Sequence, residues 1–259
     1  MKRLLLLFVF IILTYYVSAQ NEIQKAPLNP EFVEYLNQTK KDGESTKGLI
    51  PLPFEMSFEN FFNSKTNIRE KSDLPSSYDL RDKNRVTGVK NQKSFGTCWA
   101  FSAIASLESR WLTLEDKSYD FSEKNMATCN GYLNGVDQGG NMYMSTAYLT
   151  RLDGPVPESE DLYATLTDSS KCKKSVTTID YVTEAIYLPD DKKEIKRAIL
   201  NYGAVATSMY SEQFSLSQFY NPDTYAWFYS GDKPSNHGVT IIGWDDDKEI
   251  TGIPGSPDT

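Results

Sequence analysis

The sequence predicts an α+β protein built as two lobes, and three observations lead there. Apolar residues recur at helical spacing from Cys98 to about Leu112. After Cys172 the composition shifts toward β-branched and aromatic residues. The main helical stretches come before the strand-like ones, so each set must build its own layer around a core.

The elements follow in chain order. Ala100, Ile104, Leu107 and Trp111, at spacings of four, three and four, share one face of a helix that Cys98 opens. A second helix is expected over Ser122 to Cys129, because Ser122 can cap it. A third spans about Met142 to Leu152 and ends before Gly154-Pro155. Thr177 to Leu188 reads as a strand. Asp190 or Asp191 can cap a short helix that turns Ile195, Ala198 and Ile199 inward and stops at Gly203. Ala204 to Tyr210 and Gly238 to Trp244 read as strands, the latter followed by the turn-prone Asp245-Asp246-Asp247. The sequence has no internal repeat.

Ahead of this compact portion, Gln20 to Asp73 is polar and irregular, with Pro27, Pro30, Pro51 and Pro53 interrupting helix formation. Two short amphipathic pieces stand out, Phe32 to Leu36 and Phe54 to Phe62. This stretch reads as a leader or pro-segment; composition alone also allows a linker. The extreme N-terminus has Lys2 and Arg3, an apolar run from Leu4 to Leu13, and small residues at Val17-Ser18-Ala19. That is the pattern of a secretory signal over residues 1–19. The run is too short to span a bilayer core of about 30 Å. The mature protein is expected to leave the cytosol for an extracellular or periplasmic space, or a lysosome-type compartment, with no membrane attachment.

Bulk properties narrow the function. A net charge of -8, with no dense Lys/Arg block beyond the N-terminus, argues against nucleic acid as a partner. The absence of a Gly-x-Ser-x-Gly elbow argues against a serine hydrolase. One histidine and no Cys-x-x-Cys provide too few ligands for a metal site, and no cofactor is implied. Three cysteines in an exported chain suggest one disulfide and one thiol with a reason to stay reduced.

Cys98 has such a reason. At a helix N-terminus a thiol meets unpaired N–H groups and the positive end of the helix dipole, both of which favour the nucleophilic thiolate. It also needs a base within ion-pairing distance. His237 is the one histidine in the chain, so it has no competitor. A lone histidine is more often structural, but this one opens a strand and lies about 140 residues after Cys98. That is the interval at which cysteine hydrolases of one type place their base.

Asn91-Gln92-Lys93-Ser94-Phe95-Gly96-Thr97-Cys98-Trp99-Ala100-Phe101-Ser102 resembles the active-site segment of the papain family of cysteine proteases. The likeness runs from about Leu74 to Trp244. The resemblance implies a papain-like fold over 74–259, with a helical lobe at about 74–176 and a β-rich lobe from about 177. It also implies peptide-bond hydrolysis through a thioester acyl-enzyme, polypeptide substrates, and a monomer. It assigns Cys98 as nucleophile, His237 as base and then acid, and Gln92 as the amide that stabilises the oxyanion together with the Cys98 N–H. Gly139 and Gly140 match a glycine pair on the cleft wall; with Trp99, Asn236 and Gly238 they are the positions expected to meet substrate. Cys129 and Cys172 match cysteines that are bridged to each other in the family, and the leader matches a pro-segment that fills the cleft until it is removed.

Two departures qualify the likeness. Phe95 stands where the family often has a further cysteine, and that cysteine's usual partner is absent around Asp137. The family's Asn-Ser-Trp-Gly segment, whose Asn orients the imidazole, does not appear between His237 and Thr259. A C-terminally incomplete domain is therefore expected, and a non-catalytic peptide-binding module or inactive fragment of the same fold is the alternative function.

Overall fold

The structure, a computed structural model, describes residues 28–42, 48–54, 74–132, 135–212, 217–249 and 251–256. The expected signal segment, 1–19, and the amphipathic piece after Phe54 lie outside the described residues.

Helix α1, Pro30–Asp42, is longer than the leader's prolines suggest. Pro30 occupies the first helical position, where a missing N–H costs nothing, and the Asn29 side chain accepts from the Glu31 amide at 3.0 Å. The start of α1 is tied to a later part of the leader: the Asn29 amide donates to Pro53 O at 3.1 Å, and Leu28 bridges Phe54.

One core lies among three helices. Helix α2, Cys98–Glu115, buries Ala100, Ile104 and Trp111 on the face that the spacing indicates, with Leu107 packed partly buried at its margin. Helix α3, Glu123–Cys129, starts where the Ser122 hydroxyl accepts from the Asn125 amide at 3.0 Å. Helix α4, Met142–Thr150, is capped by Asn141. It stops before the expected Leu152, which takes a left-handed φ of 66° ahead of Gly154-Pro155. Phe121, Met126, Tyr148 and Leu149 complete this core, and the Cys129–Cys172 disulfide ties α3 to the chain that leaves it.

A second, smaller cluster gathers Leu80, Ile199 and Ala204 with Tyr78, Val86, Ile195 and Ile241 around it. Helix α5, Lys192–Tyr202, runs from an Asp191 cap to Gly203 at φ 101°. Of the two candidate aspartates, Asp191 makes the bonds, accepting from the Lys193 and Glu194 amides. Strands β2 (Val205–Met209) and β5 (His237–Ile241) form an antiparallel ladder in which Met209 faces His237. Strand β1 (Ser77–Asp79) pairs with β6 (Gly243–Asp245), and a short hairpin joins β3 (Tyr220–Asn221) to β4 (Ala226–Trp227).

Two expectations need correcting. Residues 177–188 are extended but join no ladder among the described residues; the Ile179 amide donates to Pro155 O at 3.4 Å instead. Composition supplies the side chains of a strand, but only a paired edge makes one. The expected strand from Gly238 to Trp244 is divided at Ile242, with β5 serving one ladder and β6 another. The early segment Tyr78 to Val86 packs with the second cluster, against Ile195 and Ile199 of α5, and the Ser109 hydroxyl of α2 donates to Arg85 O at 2.6 Å.

Candidate active site

The site forms where α2 meets β5. Cys98 begins α2 and is 1 % exposed. Strand β5 lies along this helix: the Thr240 hydroxyl donates to Ser102 O at 3.2 Å, and the Ser102 hydroxyl donates to Val239 O. The register brings the His237–Gly238 peptide onto Cys98, and the Gly238 amide donates to Cys98 Sγ at 3.1 Å. A side chain at Gly238 would come within 3.0 Å of Cys98 O, so the close approach of helix and strand requires glycine. The structure thus brings together Cys98 and the residue pair His237-Gly238, which lie on different elements far apart in sequence.

Before His237 the chain is fixed by Asn236. Its side chain accepts from the Ser211 amide at 2.8 Å and donates to Ser211 O at 2.9 Å, extending the β2–β5 ladder by one side-chain rung. On the other side, Gln92 lies in the loop before α2, and its side-chain amide donates to Phe95 O at 2.9 Å. Lys90, two residues earlier, donates to Glu108 Oε1 (2.8 Å), Glu123 Oε1 (2.9 Å) and Phe121 O (3.0 Å), and pairs with Asp120 at 2.7 Å. Burial pushes the Glu123 carboxyl up to about 7, with Lys90 pulling against it. Sequence reasoning missed this cluster because its members are scattered along the chain and none belongs to a motif.

The glycine pair divides its work. Gly139, at φ 76°, faces the cleft, where a side chain would meet Gly48 O at 2.8 Å. Gly140 lies over Trp99, whose ring would be 2.4 Å from any added Cβ. Trp99 itself is 2 % exposed and packs in the first core beneath Gly140. Where the family often has a second bridge, the Gly96 amide donates to Asp137 Oδ1 at 3.4 Å, and Gly96 approaches the Asp137 backbone as only glycine can.

The cleft is occupied by the chain's own leader. Gly48 sits against Cys98 Sγ, Gly140 N–H donates to Gly48 O at 2.9 Å, and Ile50 N–H donates to Gly140 O at 2.8 Å. These bonds form a parallel bridge between Leu49 and Gly140. Across the cleft the Leu49 amide donates to Asn236 O at 3.3 Å. Burial pushes the Cys98 thiol up, against the backbone N–H groups of Gly238, Trp99 and Cys98 that draw it down. While the site is covered, loss of water therefore opposes the helix-end N–H groups that favour the thiolate. Beyond Gly140, a cavity of about 590 Å³ opens between α2, α4 and β2, with Met142, Ser145, Leu149, Val205 and Ser208 in its wall.

Comparisons with known proteins bear on the family and the fold. The sequence pattern of the papain family cysteine proteases matches residues 74–254. Human cathepsin L2 is 30% identical over 173 residues, covering 66% of this chain and 52% of that protein. Mouse procathepsin L is 31% identical over 173 residues, covering 66% and 51%. The chain therefore spans about half the length of the curated relatives it matches. The cysteine protease and lectin-like domains of Cwp84, a surface layer associated protein of Clostridium difficile, superpose with a TM-score of 0.71 at 28% identity, covering 86% of this chain and 48% of that one. Recombinant stem bromelain precursor, at 22% identity, shares the fold with a TM-score of 0.57, covering 93% and 73%. With a family pattern spanning both cores, and a lone thiol at the helix end beneath a histidine-bearing strand, the chain belongs to the papain family of cysteine proteases.

Proposed function

We propose that the protein hydrolyses peptide bonds through a thioester at Cys98. The observation that carries this reading is the hydrogen bond from the Gly238 amide to Cys98 Sγ, which sets the residue next to the sole histidine against the one cysteine outside the disulfide. Cys98 gives its proton to His237, and the thiolate attacks the substrate carbonyl carbon. The carbonyl electron pair moves to oxygen, where Gln92 and the Cys98 N–H receive it. As the C–N bond breaks, His237 returns the proton to the leaving amine. Water activated by His237 then cleaves the thioester and restores the thiol. The Gln92 amide has two hydrogens; the one bound to Phe95 O orients the group, and the other is assigned to the oxyanion. The Gly140 backbone and the Asn236 carbonyl offer hydrogen-bond partners to an extended substrate, as they do to the leader, and Gly139 leaves room for it to approach.

Residues 20–73 act in this reading as a pro-segment that holds the enzyme inactive until it is cut. The contacts of Gly48, Leu49 and Ile50 across the cleft support it. Export is supported by the apolar run after Lys2-Arg3 and by the disulfide.

The test pairs a thiol-directed peptidyl epoxide with a fluorogenic peptide amide, before and after cleavage of the leader. Expected are adduct formation at Cys98 and turnover that both rise on cleavage. Peptide binding and labelling without turnover would instead favour the non-catalytic peptide-binding reading. Turnover that survives Cys98→Ala would overturn the assignment of the nucleophile.

A further inference from the structure

The loop from Gln92 to Thr97 joins the amide assigned to the oxyanion to the residue that precedes the nucleophile. Inside it, Phe95 O accepts from both the Gln92 side chain and the Thr97 amide at 2.9 Å. Lys93 holds a left-handed φ of 56° without being glycine. From outside, the loop is held in its middle by the Gly96 amide on Asp137 Oδ1 at 3.4 Å, and at both ends by one further fixture.

That fixture is a single buried hydroxyl. Tyr163, 6 % exposed, stands on the short helical turn Tyr163–Thr165, far along the sequence. Its hydroxyl donates to Gln92 O at 2.8 Å and lies 2.6 Å from the hydroxyl of Thr97, which is fully buried. A phenol has one proton to give, and a carbonyl can only accept, so the Thr97 hydroxyl donates to the Tyr163 oxygen. The two ends of the loop are thereby tied to one atom. Thr97 in turn fixes α2, whose Ala100 and Phe101 amides donate to Thr97 O at 2.9 and 3.2 Å.

The tyrosine is itself immobilised. Its amide donates to Glu158 Oε1 at 2.7 Å. Phe101 and Phe95 set their rings nearly perpendicular to its own, at centroid distances of 4.8 and 6.5 Å. Burial holds the phenol protonated, its titration pushed up to about 12, so the donor to Gln92 persists across the neutral range.

We propose that Tyr163 is a positioning residue for the oxyanion site: its hydroxyl sets the spacing between the Gln92 amide and the Cys98 N–H so that both reach the same substrate oxygen. The inference rests on the role given to Gln92 above. Two donors stabilise a developing charge only where they converge, so a shifted loop weakens the transition state and leaves ground-state binding largely alone.

Tyr163→Phe removes the hydroxyl and keeps the ring packing. Using the full-length protein activated by cleavage of its leader, kcat for a peptide amide should fall about tenfold with KM changed less than about twofold, a fraction of what complete loss of an oxyanion donor costs. Alkylation of Cys98 by iodoacetamide, a displacement with no tetrahedral oxyanion, should keep its rate. In a Gln92→Ala background the same substitution should add nothing further to the loss of kcat. An unchanged kcat, a parallel loss of alkylation, or an equal effect in the Gln92→Ala background would each overturn the proposal while leaving the peptidase assignment standing. Absence of turnover in the parent protein, with Cys98 alkylated normally, would remove the reading on which it rests. Should Tyr163→Phe misfold, Thr97→Val, which cuts the same chain at its other link, serves the identical comparison.

Discussion

Gly48 of the leader and Cys98 at the start of α2 are in contact, so that even a methyl group on Gly48 would lie 2.8 Å from Sγ and 3.0 Å from the Gly96 carbonyl carbon. The fit depends on glycine twice, because Gly48 also takes φ 108°, a conformation that other residues adopt at a cost.

Replacing Gly48 should therefore loosen the leader without touching the enzyme proper. In uncleaved Gly48→Ala protein, alkylation of Cys98 should be about tenfold faster than in the parent, equivalent to roughly 1.4 kcal/mol of lost leader binding. Equal rates would mean that residues 48–50 do not limit access to the thiol.

Cleavage of the leader should also move the titration of Cys98. Burial is the main influence raising it, opposed by three backbone N–H groups. Readmitting water removes the larger influence and leaves the smaller ones, so the midpoint of the alkylation rate against pH should shift to lower pH after cleavage. A midpoint that stays in place, or rises, would contradict this account of the covered site.

Lys90 balances two carboxylates, Glu108 and Glu123, whose side chains are 1% and 2% exposed. Lys90→Met should cost about 3–5 kcal/mol in chemical denaturation, the usual effect of stranding buried charge. The loss should be smaller at pH 5 than at pH 8, because the abandoned carboxyls can take up protons in acid. The parent has a milder version of the same dependence. Glu123 titrates near 7 in the folded state against 4.5 in the free side chain. Between those values the folded form holds more protons, so the stability that Glu123 contributes is complete below about 4.5 and declines as pH rises toward 7.

The Cys129–Cys172 bridge closes a separation of 43 residues. In the chain-entropy view this is worth about 3–4 kcal/mol, and the Cys129→Ser, Cys172→Ser double variant should melt several degrees lower. Mass mapping of the oxidised parent should find Cys98 alone as a free thiol. A Cys98-containing bridge would show that the pairing is wrong.

What the sequence makes legible here is local. The Ser122 cap, the stop at Gly203, the buried face of α2 and the placement of Cys98 at a helix end all follow from neighbours within a few residues. What is not legible involves distant partners. Residues 177–188 carry the composition of a strand but have no ladder among the described residues. Trp99 is next to Cys98 in sequence, yet its ring packs against Gly140, a contact that no spacing indicates. Asn236 is legible as the neighbour of His237, whereas its hold on Ser211 depends on a strand that residue spacing does not locate. The links from Tyr163 to Gln92 and from Lys90 to Glu108 have no signature at all, because any buried tyrosine or any lysine would look alike in the sequence. A signal from correlated substitutions in related chains is the kind that finds such pairs.

The pairing of β1 with β6 has a consequence for how the molecule is made. Tyr78 stacks on Trp244 with ring centroids 5.3 Å apart, and the Trp244 indole N–H donates to Pro75 O. Strand β1 therefore has to wait on the ribosome until β6 has been synthesised. The strand before β6 carries His237. Assembly of the second cluster and the meeting of Cys98 with the His237-Gly238 pair thus become one late, long-range event, of the sort that high contact order slows. Until it occurs, the helix that Cys98 opens is present without the strand that bears the histidine.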